Sequence, residues 1–205
     1  MALYSTDIRT RDLDPTTNTI PAGAGGSGKI EFMLPQGVYY PNLRLANVGA
    51  FFGAARPYNF LAGAYSCIKH IRLTSMGQEL DAMRFANRYL AFSNLNAKNE
   101  ENRSVNKKLA KSLVGYTEEI VDHKIEQRDL DNSNQAAQTR NEIKLGHLDL
   151  RRCLPLLKNL SVLPTEVFKN LKLVIEFEAN NSVIAQRDNT DVTIVTPILL
   201  VDEIV

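Results

Sequence analysis

Residues 171–178, Leu-Lys-Leu-Val-Ile-Glu-Phe-Glu, set Leu171, Leu173, Ile175 and Phe177 against Lys172, Val174, Glu176 and Glu178. A period of two sends successive side chains to opposite faces of a strand, so this stretch predicts a strand with one face in a core. It closes a longer segment that begins at Leu148. Before the strand come an apolar turn (Cys153, Leu154, Leu156, Leu157), a short apolar run (Leu160, Val162, Leu163) and a Pro164-Thr165-Glu166 step. The segment predicts a strand, a tight helical elbow and a second strand, with Pro164–Glu166 as the cap of a short helix.

The same period recurs along the chain. Ile30, Phe32 and Leu34 alternate with Glu31 and Met33, and Pro35-Gln36-Gly37 ends that strand. A second strand is expected over Asn42 to Phe52 and a third over Ser66 to Ser75. Met76-Gly77-Gln78 marks a tight turn into a short strand at Glu79-Leu80. Asp81 is then placed to cap a helix, with Ala82, Phe85, Ala86, Tyr89 and Leu90 at helical spacing through Phe92. Further strands are expected over Glu142 to Leu150 and over Val192 to Val205, the latter interrupted at Pro197. About eight short strands, one clear helix and no strand–helix–strand rhythm predict a mainly antiparallel β-sandwich with helices inserted in its connections.

Two regions stand apart. Residues 1–28 are polar, lack periodicity and end in a glycine-rich stretch from Pro21 to Gly28, which predicts a flexible N-terminal arm. The core is then expected to fold without residues 2–27. Residues 94–141 form a polar insertion, with a possible helix over Glu100 to Leu113, an ambiguous run over Thr117 to Lys124 and a loop over Asp129 to Arg140.

Composition narrows the function. The 205 residues suffice for one domain with a sizeable core, and 44% hydrophobic with 23% charged residues is ordinary globular usage. A net charge of +1 does not favour nucleic acid as the main partner. Met1 to Pro21 carries Asp7, Arg9, Arg11, Asp12 and Asp14 without an apolar stretch of signal-peptide type. Cys67 and Cys153 lie far apart in apolar surroundings and read as buried free thiols, consistent with folding inside a cell.

The search for chemistry yields little. Gly23 to Lys29 fits the start of a phosphate-binding loop, but Ile30 stands where that loop needs a serine or threonine, so a linker is expected. His70, His123 and His147 lie at no metal-ligand spacing from one another. Glu100-Glu101 and Glu118-Glu119 are sequence neighbours that cannot face each other, and Lys107-Lys108 and Arg151-Arg152 read as solvated charge or intersubunit pairs. No catalytic residue, metal ligand or cofactor site is assigned, and no enzyme activity is expected. Asn87-Arg88-Tyr89-Leu90-Ala91-Phe92 is expected to pack Tyr89 and Leu90 into the core with Arg88 outward, or alternatively to dock its helix on a neighbouring subunit.

Two groups of motifs carry a resemblance. One is Ile68-Lys69-His70-Ile71-Arg72-Leu73, then Gly77-Gln78-Glu79-Leu80 and Asn87 to Phe92. The other is Leu148 to Leu157, followed by Leu163 to Glu176. Together they resemble the first jelly roll of the double jelly-roll major capsid proteins of the tectivirus–adenovirus lineage, in the style of polinton-like viruses, adintoviruses and virophages.

The resemblance covers about residues 28–205. It implies an eight-stranded antiparallel jelly-roll β-sandwich over 29–205 with short helices in its loops. It further implies a capsid structural protein that assembles with copies of itself, as trimeric or pseudo-hexameric capsomers, into an icosahedral shell of the virion. The arm would reach neighbouring capsid or minor capsid proteins or an internal membrane, and the insertion would form a tower or intersubunit loop. A two-barrel chain is about twice as long. A separately encoded or partial half, a single jelly-roll subunit and a pentameric vertex protein therefore remain open. The alternative outside this family is a β-sandwich carbohydrate-binding module, which needs an aromatic platform; Tyr39, Tyr40, Tyr58 and Phe60 are its candidates.

Overall fold

The computed structural model describes residues 7–20, 28–52, 62–95, 145–184 and 192–205. The first half holds β1 (Ile8–Leu13), β2 (Thr17–Asn18), β3 (Lys29–Met33), β4 (Val38–Tyr39), β5 (Arg44–Val48) and β6 (Ala50–Phe52). A 3-10 turn (Gly63–Cys67) leads into β7 (Ile68–Ser75), β8 (Gln78–Arg84) and α1 (Ala86–Leu95). The second half holds β9 (Gly146–Asp149), a 3-10 turn (Leu150–Arg152), α2 (Pro155–Asn159) and β10 (Leu163–Pro164). It closes with β11 (Lys172–Phe177), α3 (Asn181–Ile184), β12 (Val192–Ile194) and β13 (Ile198–Ile204).

Eight of these strands nest. β1 pairs with β13, β3 with β11, β5 with β9 and β7 with β8, so the first meets the last and each inner pair repeats the rule. β13 also pairs with β5, and β11 with β7. The results are two facing sheets in the orders β1-β13-β5-β9 and β3-β11-β7-β8, and every pairing among the described strands is antiparallel. This is the order made by winding one long antiparallel hairpin around a sandwich, a jelly roll. The hairpin tip is Met76–Gly77, whose φ values of 51° and 80° fit the two-residue turn that matches strand twist. Gly77 takes the left-handed conformation without the strain a side chain adds.

The period of two explains the core. Phe32, Leu173 and Leu73 form one row across β3, β11 and β7, and Ile30, Ile175 and Ile71 form the next. Leu199, Leu45 and Leu148 form the facing row in the other sheet. All nine are buried in one continuous cluster. Lys29, Glu31, Arg72, Lys172 and Glu176 occupy the outer face of the β3–β11–β7 sheet. There Glu31 pairs with Lys29 at 3.0 Å and Lys172 at 3.5 Å, and Arg72 pairs with Glu176. Pro197 separates β12 from β13, which belong to different sheets.

Four expectations change. Within the stretch read as a flexible arm, β1 is a full six-residue partner of β13 and β2 pairs with β3. The reason is backbone pairing rather than side-chain burial, since β1 is mostly exposed and leaves no apolar period to read. Gly28 is needed where this chain returns, because a Cβ there would lie 2.5 Å from the Ile20 Cα. Second, β8 runs on to Arg84, so Asp81 lies in a strand; its Oδ2 accepts the Leu156 N–H at 2.7 Å and caps α2 instead. Third, Pro164 belongs to β10 and Thr165 caps no helix. Thr165 is buried and bonds the β3–β4 connection, accepting the Gly37 N–H at 2.8 Å and donating to the Pro35 carbonyl at 3.2 Å. Fourth, the strand expected over 42–52 splits into β5 and β6 beyond Asn47, which has φ 60°. Of the polar insertion at 94–141, only the end of α1 lies within the described residues.

Candidate functional site

The feature that departs from ordinary folding energetics is α1. Ala86 and Leu90 face the core, as the helical spacing requires. The other inward positions are Asn87 and Asn94, only 3% and 2% exposed. The outward side carries Phe85, Tyr89 and Phe92, which are 45%, 43% and 67% exposed, together with the exposed Arg88. Buried amides and exposed aromatic rings reverse the usual preference, and that reversal is the informative observation on a protein surface.

Hydrogen bonds hold the helix in this rotation. Asn87 Nδ2 donates to the Ser66 carbonyl at 3.3 Å and to Glu178 Oε2 at 3.4 Å, and its Oδ1 accepts the Arg88 N–H at 2.8 Å. Asn94 Oδ1 accepts from Arg152 Nη2 at 2.8 Å, while Asn94 Nδ2 and Arg152 Nη1 find no hydrogen-bond partner among the described residues. The Arg152 guanidinium also lies 5.9 Å over the Tyr65 ring, and the Tyr65 hydroxyl donates to the His147 carbonyl. Burial pushes the Tyr65 phenol well above its usual range, so it stays a donor. Rotating α1 to bury its rings would strand these polar groups in a dry interior.

The helix start is equally fixed. Phe85 is left-handed at φ 54°, an uncommon state for a bulky residue. Its N–H is accepted by His70 Nδ1 at 3.1 Å, its ring meets the His70 ring edge-on at 5.3 Å, and Arg88 lies 5.0 Å over its face. The carbonyl of Phe85 then accepts the N–H groups of Arg88 and Tyr89, both at 3.1 Å.

The residues weighed from sequence are dispersed. His70 serves the α1 start, while His147 is an exposed strand residue used through its carbonyl. Arg151 pairs with Asp149, and Arg152 turns inward to Asn94. His123, Glu100-Glu101, Glu118-Glu119 and Lys107-Lys108 lie outside the described residues. Lys29 opens β3, as the linker reading requires. Cys67 and Cys153 are buried free thiols, each pushed up to about 12 chiefly by desolvation. Among the described residues no group of three metal-ligating side chains converges, and no helix is long and apolar enough to cross a membrane. Tyr89 and Phe92 share one face of α1 at a spacing of three, which the sequence displays, and Phe85 stands just before the helix. The outward direction of that face is not legible in sequence, because the spacing alone starts the helix at Asp81 and buries Tyr89.

No protein-family model matches the chain, and no curated protein matches it. Among solved structures, it is similar to a chain of the quasi-atomic model of the PBCV-1 virus capsid, with 13% identity and a TM-score of 0.46. It is also similar to PBCV-1 VP54 fitted into a reconstruction of the virophage Sputnik, with 12% identity and a TM-score of 0.45. Both likenesses cover 100% of this chain and 44% of the other, so the chain spans less than half the length of those proteins.

Proposed function

We propose that this chain is a structural subunit of a viral capsid, a jelly-roll building block that assembles with copies of itself into the shell of a virion. The observation that carries the reading is α1: a rigid jelly-roll sandwich uses buried hydrogen bonds to present aromatic side chains and an arginine outward. Those are the residue types enriched in protein–protein interfaces. A jelly roll alone hosts several functions, including lectins. The resemblance of its Ile68 to Leu73, Gly77 to Leu80, Asn87 to Phe92, Leu148 to Leu157 and Leu163 to Glu176 motifs to capsid jelly rolls supports the shell over those.

One observation weighs against the carbohydrate-module alternative. Of its platform candidates Tyr39, Tyr40, Tyr58 and Phe60, Tyr39 is fully buried and donates to the Pro35 carbonyl at 3.1 Å, while Tyr58 and Phe60 lie outside the described residues. Desolvation raises the Tyr39 phenol above its usual range.

Mass in solution combined with electron microscopy of the purified chain tests the proposal. Trimers or hexagonal sheets are expected for a major capsid subunit, and pentamers for a vertex subunit. A monomer at every concentration that binds sugar overturns it.

A further inference from the structure

We propose that His70 is a proton-operated latch on the start of α1, and that its protonation releases Phe85 and with it the first turn of the helix. His70 Nδ1 accepts the Phe85 N–H at 3.1 Å. A backbone N–H can only donate, so Nδ1 presents a lone pair and the ring proton sits on Nε2. A protonated imidazole carries a hydrogen on both nitrogens. No rotation of the ring then restores an acceptor, and two donors face each other across the junction. Imidazole is also the side chain whose charge ordinarily changes between pH 5 and 8.

The latch holds a conformation that does not hold itself. Phe85 has φ 54°, a region that a bulky residue enters only where its surroundings over-determine it. Two of the contacts that do so come from His70: the N–H bond and the ring edge at 5.3 Å. Arg88 supplies a third, 5.0 Å over the Phe85 ring. The Phe85 carbonyl in turn accepts the N–H groups of Arg88 and Tyr89, so a shift of Phe85 carries the first-turn hydrogen bonds with it. Leu90 in the core and Asn94 on Arg152 hold the rest of α1. The release is therefore confined to the helix start.

The charges around His70 come from every element beside it. On β7 itself, Lys69 is the sequence neighbour and Arg72 lies two residues on. β8 places Arg84 directly opposite His70, and β11 places Glu176 opposite on the other side. Lys29 of β3 lies beyond Glu176 and pairs with Glu31. Arg88 approaches from α1, where Asn87 also engages Glu178. Glu176, the carboxylate across from His70, is already engaged by Arg72. A charge gained by His70 thus arises beside Arg84 and Arg88, and movement of Phe85 and Arg88 away from the sheet relieves the repulsion. Phe85 and Tyr89 are 45% and 43% exposed, so the latch lets pH set the shape of the surface they form. This inference does not depend on the capsid reading.

Hydrogen-exchange mass spectrometry of the full chain tests it, at about pH 7.5 and about pH 5.5, with rates corrected for the intrinsic effect of pH. The peptide spanning residues 85–92 is expected to exchange about threefold faster or more at the lower pH, the size that one hydrogen bond implies. The β11 peptide, Lys172–Phe177, is expected to stay unchanged, which separates release of the latch from general unfolding. His70→Asn keeps an acceptor that does not take up a proton, so its 85–92 peptide is expected to exchange alike at both pH values. His123→Asn and His147→Asn are expected to keep the wild-type response.

Equal corrected rates for the wild-type 85–92 peptide at the two pH values overturn the latch. So does a response that survives in a folded His70→Asn chain, or one that disappears in His123→Asn or His147→Asn. The two latter variants decide the assignment even where His70→Asn fails to fold.

Discussion

The His70 imidazole accepts the backbone N–H of Phe85 through Nδ1 at 3.1 Å, which joins the middle of β7 to the first residue beyond β8. The bond lets a phenylalanine hold φ 54° at the entry to α1, and so it sets the direction in which the helix leaves the sheet. His70→Leu removes the acceptor and is expected to cost about 1 kcal/mol. His70→Asn, whose Oδ1 can take the place of Nδ1, should recover most of the loss. Urea denaturation and amide exchange at Phe85 measure both. Equal midpoints for wild type and His70→Leu would show that the bond does not hold the junction.

Asp202 ties β13 to its neighbours. It accepts from Thr10 Oγ1 at 2.8 Å and Asn42 Nδ2 at 2.6 Å and pairs with Arg44 Nη2 at 3.0 Å. Burial by itself would raise its carboxyl, but the hydrogen bonds from Thr10 and Asn42 and the charge of Arg44 outweigh it and hold the group below the usual carboxylate range. A depressed folded value means stability that is present above the unfolded value of about 3.9 and is lost as pH falls through the folded value. Asp202→Asn is therefore expected to lower the urea midpoint at neutral pH and to flatten its fall in acid. Midpoints collected between neutral pH and about pH 2 test the sign.

Removal of residues 2–13 deletes β1 and with it Thr10 and the Arg11–Glu203 pair at 3.0 Å. The truncated chain should unfold at lower urea than the whole one. An unchanged midpoint would return this segment to the status of a dispensable arm.

Cys67 and Cys153 are pushed up to about 12 by desolvation, so neither is a thiolate at neutral pH. Ellman's reagent is expected to react with neither thiol in the folded protein and with both in denaturant. Rapid native labelling of either would contradict its burial.

Thr165→Val keeps the shape of the side chain and removes the acceptor for the Gly37 N–H. Leaving that donor without a partner should cost about 1–3 kcal/mol. Thermal unfolding of the variant, with Glu166→Gln as a surface control, measures it.

Much of the core was legible because β periodicity is local. Leu171, Leu173, Ile175 and Phe177 announce a buried face within eight residues, and all four are buried. Ile30, Phe32 and Leu34 do the same. The tight turn at Met76–Gly77 and the break at Pro197 were legible too, because backbone restrictions belong to individual residues. β1 was not legible. Its side chains face mostly outward, and what makes it a strand is a ladder to β13 at the far end of the chain. The reach of β8 past Asp81 escaped for the same reason, since pairing with β7 overrides the helical spacing of Ala82 and Phe85.

The sequence by itself determined which short segments prefer to be strands and which of their faces are apolar, because both follow from the alternation of neighbouring side chains. The tertiary structure alone decided how those strands nest and which way α1 turns. Nesting depends on partners distant in the chain. The rotation of α1 depends on the hydrogen bonds that Asn87 donates to Ser66 and Glu178 and that Asn94 accepts from Arg152, which outweigh the preference of Tyr89 and Phe92 for the interior.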